Sequence, residues 1–388
     1  MNMFKVDRSA GLLGGLRDFL LLLFCTFILT SCPEGTRVAA VRTFDYDREV
    51  FIINGLAETI SVVNPETLVI HNDVSLTGRS PNQLLNIDNK IYVVNSLDNG
   101  ITILDESTLA VEGEIDLGPG KGPWMIIPVP DSTVAYVTNS IAGTVSVIDL
   151  ANQTVAGEIS VGIGPQGGCY LDGKVYICNT NYSAGLEGMG YNEGTVSVID
   201  INVDLAANPV ETISVEPESF DLELKNGSNP QAAIAFPEKN EVHIILTGRN
   251  GGDNADDGAV LVLDVSAGAD YAVKGRLAVG GSPGWSGGGL DEGRKIVYLT
   301  GVGGLQSYNY ETLEILHRSG SGDDGYILTG MNTATDFYSG VAYDPIEDQL
   351  FVTFFSSDTI LVLDGEDYHV EKELQGSDGP QNPVLFVE

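Results

Sequence analysis

The sequence predicts an all-β protein, a seven-bladed β-propeller of four-stranded antiparallel blades. Three observations carry that expectation. Apolar residues alternate with period two in short runs, Gly- and Asn-containing turns separate the runs, and a paired run recurs in seven copies along 388 residues. The cleanest copy is Tyr136-Val137-Thr138-Asn139, a turn containing Gly143, then Thr144-Val145-Ser146-Val147-Ile148-Asp149. Alternation of β-branched and aromatic residues across such a turn reads as an antiparallel hairpin.

Composition supports short strands and bounds the function. Glycine reaches 47 residues and the apolar fraction is 43%, and no segment after position 32 shows sustained helical periodicity. Acidic residues outnumber basic ones 54 to 19, for a net charge of −35. Such a surface repels phosphate backbones, so nucleic acid is excluded as an expected partner. Acidity of this size serves solubility, and it also leaves room for a bound cation or a basic ligand.

Taken in order, the chain begins with a targeting segment. Lys5, Arg8 and Arg17 precede the apolar run from Phe19 to Thr30, which is too short to span a bilayer and suits the core of a signal sequence. Leu29-Thr30-Ser31-Cys32 resembles the bacterial lipobox, which implies lipidation of Cys32; ordinary secretion with nearby cleavage is the alternative. The expected organisation is a lipoprotein signal peptide over 1–31, a tether over 32–37 and the propeller over 38–388. The expected location is the cell envelope, lipid-anchored, on an outer-membrane, cell-surface or periplasmic face.

Alignment on the hairpin places the end of the second strand of successive blades at Asn54, Asn95, Asn139, Asn179, Leu246, Gly301 and Phe354. The third strands end at Asn64, Asp105, Asp149, Asp200, Asp264, Asn309 and Asp364. A Gly-x-x-Pro marker precedes the first strand at Pro81, Pro123, Pro165, Pro230 and Pro283, and a looser form surrounds Pro380. Four strands per unit of about forty residues is the pattern of a propeller blade, which buries both sheet faces only by stacking on its neighbours. Residues 38–44 are expected to form the first strand of blade one. The terminal run after Pro383 also reads as a first strand, so both termini are expected in that blade. Cys169 and Cys178 flank the turn Asp172-Gly173, with Cys169 opposite Tyr176; direct opposition is missed, so two buried thiols are expected rather than a bridge.

These residues are similar to the YVTN β-propeller repeat of bacterial and archaeal surface and periplasmic proteins. Tyr136 to Asn139, Thr144 to Asp149 and Gly162-Ile163-Gly164-Pro165 carry the resemblance, with weaker copies at Tyr92 to Asn95 and Tyr176 to Asn179. Blades five to seven depart from it, where Leu246, Gly301 and Phe354 stand in place of Asn and Asn309 in place of Asp. The resemblance implies a fold and supplies no catalytic set.

In a meander, the loops between strands two and three and the crossings between blades emerge on one face. The long loops 180–194, 217–229, 248–258 and 320–337 all fall on that face, which marks it as the functional one. Trp124 and Trp285 follow Pro123 and Pro283 at the expected starts of innermost strands, on opposite sides of the funnel. Asn82, Gln166, Gln231 and Gln381 occupy similar positions, and Tyr182 and Tyr191 lie in the first long loop. Aromatic walls with amide groups suit a neutral, flat or sugar-like ligand; packing of both rings between blades is the competing reading.

Asp253, Asp256 and Asp257, with Asp323 and Asp324, could hold calcium, although Ala255 interrupts the EF-hand pattern and a solvated acidic loop is the favoured reading. Gly284-Trp285-Ser286-Gly287-Gly288 matches a nucleophile-elbow pattern but lacks the strand-turn-helix context, so it is read as coincidence. The histidines show no metal-ligand spacing; His71, His317 and His369 are expected at the starts of outermost strands. The sequence therefore points to a non-enzymatic binding protein that takes a small molecule, glycan or protein at the insertion-bearing face, with no required cofactor. A lactonase-like, cation-assisted hydrolase is the alternative.

Overall fold

The computed structural model describes residues 48–185, 188–191, 194–204, 210–214, 229–248, 258–267, 270–301, 304–318, 325–328 and 338–387. All belong to the compact unit Ala40–Glu388. They form seven four-stranded antiparallel sheets, the blades of a propeller, and a separate two-stranded hairpin. The only helical element among the described residues is the short 3-10 turn Pro237–Lys239.

Every strand end marked in the sequence is found. Blade three, for example, is Pro123–Pro128, Val134–Asn139, Thr144–Asp149 and Thr154–Ser160. Second strands such as Thr-free Glu241–Leu246 are buried throughout, whereas outermost strands such as Val370–Gln375 are mostly exposed. The hydrophobic core is divided accordingly. Seven apolar clusters each draw on two adjacent blades, and together they run once around the ring. A blade thus depends on both neighbours for its stability.

Two repeated polar devices explain the sequence markers. At the end of the second strand, Asn139 Nδ2 donates to Thr144 Oγ1 (3.1 Å) and Ser146 Oγ (2.9 Å). Asn54 and Asn179 make the same pair of bonds to Thr59 and Ser61 and to Thr195 and Ser197. At the end of the third strand, the side-chain oxygen of Asn64, Asp105, Asp149, Asp200, Asp264, Asn309 or Asp364 accepts a backbone N–H from the following turn. The Asn-for-Asp exchange at 309 is therefore conservative, because the turn requires only an acceptor oxygen. The first turn of blade four is the expected two-residue hairpin, with Asp172 and Gly173 at φ +47° and +76°.

Ring closure corrects one expectation. The C-terminal strand Pro380–Val387 pairs with Arg48–Asn54 and is the innermost strand of blade one. Arg48–Asn54 pairs with Thr59–Asn64 on its other edge, so neither edge remains for residues 38–44, which lie outside the described residues. The expectation that both termini meet in blade one holds. Arg48 ties this closure to blade seven, donating to Asp344 (2.5 Å) and Glu347 (2.8 Å).

Blade six supplies a second correction. Its first strand is reduced to Leu290–Asp291, and residues 282–289 take an irregular path. Gly284 bridges to Thr300 in its own blade, while Gly288 bridges in parallel to Ala342 of blade seven. Trp285 therefore sits on an irregular segment and not on a strand. A third correction concerns His317, which ends its outermost strand Glu314–His317 instead of starting it. Cys169 pairs in register with Tyr176 as expected, and both Cys169 and Cys178 are free thiols. Burial raises both thiol pKa values, so neither is a ready thiolate.

Candidate functional site

Five blades have their innermost strand irregular in register immediately after its first residue. The shifts fall between Pro81 and Gln83, Pro123 and Ile126, Pro165 and Gly168, Pro230 and Ala232, and Tyr338 and Gly340. A bulge breaks strict alternation, so consecutive residues reach the same side. Asn82 with Gln83 and Trp124 with Met125 line one cavity for this reason, and Gln381 with Asn382 join them where blade one shifts register between Gln381 and Val384. The cavity encloses about 300 Å³ at the funnel mouth, on the face where second strands end and blades cross over. That volume lies at the lower end of the range for small-molecule sites, roughly 300–1,000 Å³.

Hydrogen bonds between adjacent blades form the wall. Ser96 Oγ donates to Pro123 O (2.5 Å), Thr138 Oγ1 to Gln166 O (2.6 Å) and Thr247 Oγ1 to Pro283 O (3.1 Å). Ser339 Oγ donates to Pro380 O (2.6 Å), and Gln381 Nε2 to Pro81 O (2.7 Å). Ser286 of the irregular segment donates to Val341 O (3.0 Å) and accepts from Val341 N (3.2 Å). Its hydroxyl is thus an inter-blade clip, which agrees with reading the Gly-x-Ser-x-Gly pattern as coincidence.

Of the residues singled out in the sequence, Asn82, Trp124, Gln231, Trp285 and Gln381 come together in this cavity. Trp285 also packs against the core between blades five and six, so for that ring both readings hold at once. Gln166 is not in the lining; Gly167 takes the position in blade four. A Cβ there would collide with the backbone of Gln231 and Ala232, so only glycine admits this approach of blades four and five. Tyr182 and Tyr191 face each other in register across the extra hairpin Tyr182–Gly185 and Gly188–Tyr191. Asp253, Asp256, Asp257, Asp323, Asp324 and Cys32 lie outside the described residues.

Sequence reasoning missed Gln83, Thr247, Ser282, Ser286, Thr300 and Asn382 as lining residues. Gln83 and Asn382 were hidden by the bulges and Ser282 and Ser286 by the irregular path of blade six, while Thr247 and Thr300 lie at the ends of second strands. The electrostatic character is clear: none of the described residues lining the cavity carries a charge. No acid–base pair or metal-ligand set is therefore found among them.

Titratable groups gather elsewhere. His243, buried between Glu241 and Tyr308, bonds them at 3.2 and 2.9 Å, and burial pushes its pKa down to about 4 against the pull of Glu241. On the face away from the mouth, Asp364, Asp367 and His369 bring three ligand-type atoms within 4.8 Å of one another. This corrects the expectation that no histidine joins a cluster. The group is already engaged internally, since Asp364 caps its turn and Asp367 accepts from His369 Nδ1 (2.5 Å).

Comparison with known proteins supports the fold. No family model matches the chain, and no curated protein matches its sequence. Solved structures do. A quinonprotein alcohol dehydrogenase-like protein of Bacteroides thetaiotaomicron aligns over 88% of this chain and 79% of its own, at 14% identity and TM-score 0.60. The hydrazine synthase of Kuenenia stuttgartiensis covers 77% and 87% at 15% identity and TM-score 0.57. The dihydro-heme d1 dehydrogenase NirN, solved with DHE, covers 92% and 79% at 10% identity and TM-score 0.56. At these identities the likeness shows a β-propeller and carries no substrate or cofactor to this chain.

Proposed function

We propose that this protein is a YVTN-type propeller of the cell envelope, anchored through lipidated Cys32, that binds a ligand in the funnel mouth without transforming it. One observation carries the reading: two tryptophans from well-separated blades line a single cavity whose described walls hold amides, hydroxyls and glycines and no charge. Such a wall can stack and hydrogen-bond a neutral molecule, and its described residues include no His, Asp, Glu or Lys to act as a general base on its hydroxyls. The Asn, Thr-x-Ser and Gly-x-x-Pro markers, with their hydrogen bonds, support the repeat assignment, and the lipobox-like Leu29 to Cys32 supports the anchor. The hydrolase reading rested on acidic loop residues outside the described chain and gains no support from the cavity.

A thermal-shift screen against a library of neutral and charged metabolites and glycans tests this. Hits are expected to lose at least about tenfold in affinity in Trp124→Ala with Trp285→Ala, as for loss of aromatic anchors. A double variant that folds and keeps full affinity for every hit would overturn the reading.

A further inference from the structure

We propose that the mouth is a carbohydrate site: it takes an uncharged saccharide whose ring stacks on Trp124 or Trp285 and whose hydroxyls bridge a set of amides with fixed polarity. This rests on the reading of the mouth as the ligand site and adds the chemical class.

The polarity comes from the frame. Gln83 Oε1 accepts from Ile126 N (2.6 Å), whereas Gln231 meets the Thr247 hydroxyl (3.0 Å), whose one proton is shared with Pro283 O (3.1 Å), so the frame sets the polarity of Gln83 and not that of Gln231. Gln83 therefore has its amide nitrogen left as a donor toward a ligand. Three other amides are engaged the opposite way. Asn82 Nδ2 donates to Ser96 Oγ and to Pro123 O (3.2 Å), Gln381 Nε2 donates to Pro81 O (2.7 Å), and Asn382 Nδ2 donates to Asn82 O. Each of these three keeps its carbonyl oxygen as an acceptor. The acceptors cluster at blades one and two, and the Gln83 donor stands beside them in blade two.

A ligand for this wall needs several donors and an acceptor along one edge, a flat apolar face and no charge. A carboxylate would meet three carbonyl oxygens inside a protein of net charge −35, with no cation in the described lining. An ammonium would meet no carboxylate there. A nucleobase stacks well but offers few donors along one edge. A sugar ring has an apolar C–H face for the indoles and several hydroxyls, each both donor and acceptor, so it satisfies the carbonyl oxygens and the Gln83 donor together.

The chain has only two tryptophans, and both line the mouth, so intrinsic tryptophan emission reports directly on its occupancy. The experiment titrates the full chain with neutral hexamers of glucose, mannose, xylose and N-acetylglucosamine, with oligogalacturonate and with adenosine. Emission and calorimetry are read together at low and high salt. At least one neutral oligosaccharide is expected to change the emission saturably with a salt-independent affinity, and oligogalacturonate is not. Gln83→Glu keeps the oxygen that Ile126 N donates to and removes the free donor; it is expected to weaken binding about tenfold. A saturable response to adenosine alone, or silence across the panel, overturns the carbohydrate class and leaves the mouth as such untouched. Saccharide binding seen by calorimetry with no emission change, and unaltered in Trp124→Ala with Trp285→Ala, overturns the mouth itself.

Discussion

At the scale of the residue, Asn139 shows how a repeat marker acts. It is fully buried, and its amide donates to two hydroxyls of the neighbouring strand. Blades five and seven solve the same position with apolar pairs, Leu246 beside Leu261 and Phe354 beside Leu361, all buried. Blade six has Gly301 there, and Gln306 from the next strand donates to Val279 O (3.1 Å) and Gly280 O (2.9 Å) instead. Departures from the repeat are thus paired replacements, which a position-by-position reading of the sequence treats as losses. Replacing one member alone should be costly: Asn139→Leu is expected to lower stability by about 1–3 kcal/mol in urea unfolding, because half-buried Thr144 and buried Ser146 lose their donor. An unchanged midpoint would show that water satisfies them.

His243 gives a pH prediction at the same scale. Its folded pKa of about 4 lies below the ordinary value near 6.5, so the unfolded chain binds the extra proton first. Stability from this group is complete above about pH 6.5 and falls as pH drops toward 4, by on the order of 3 kcal/mol. Glu241, Lys239, Lys274 and Tyr308 surround the ring region, and Glu241, with its pKa lowered, adds to the same acid limb. A melting series should show that His243→Gln flattens the decline between pH 6.5 and 4.5; an unaltered slope would locate the acid sensitivity elsewhere.

At the scale of the element, the innermost strands decide the site. Their alternation was readable, yet the bulge after the first residue was not, because it depends on how each strand meets the next blade. Hence Asn82, Trp124 and Gln231 were legible as mouth residues, while Gln83 and Asn382 were not. The same scale governs closure. Asp344 is inaccessible and Arg48 only 12% exposed, so their ion pair joins the first described strand to blade seven in a largely desolvated setting. Arg48→Met leaves that carboxylate buried without its cation and is expected to cost about 3 kcal/mol or more in denaturant unfolding. Little or no change would mean that closure depends on the C-terminal strand alone.

For the whole molecule, an excess of 35 negative charges acts against compactness at low ionic strength. The melting temperature is expected to rise between about 10 and 500 mM sodium chloride as repulsion is screened, since the Debye length falls from about 30 Å to a few ångströms over that range. A flat response would show that local ion pairs such as Lys121 with Glu158 already balance the field.

By itself the sequence determined the repeat. Seven copies, the ends of their second and third strands and the turns all follow from period-two patterning and turn chemistry, which are local properties of the chain. Only the tertiary structure decided three things: which terminus supplies the inner strand of blade one, that Trp285 sits on an irregular segment shared with blade seven, and which partners the amides at the mouth bond. Each depends on contacts between residues tens to hundreds of positions apart, and hydrogen-bond partners at that distance leave no local pattern to read.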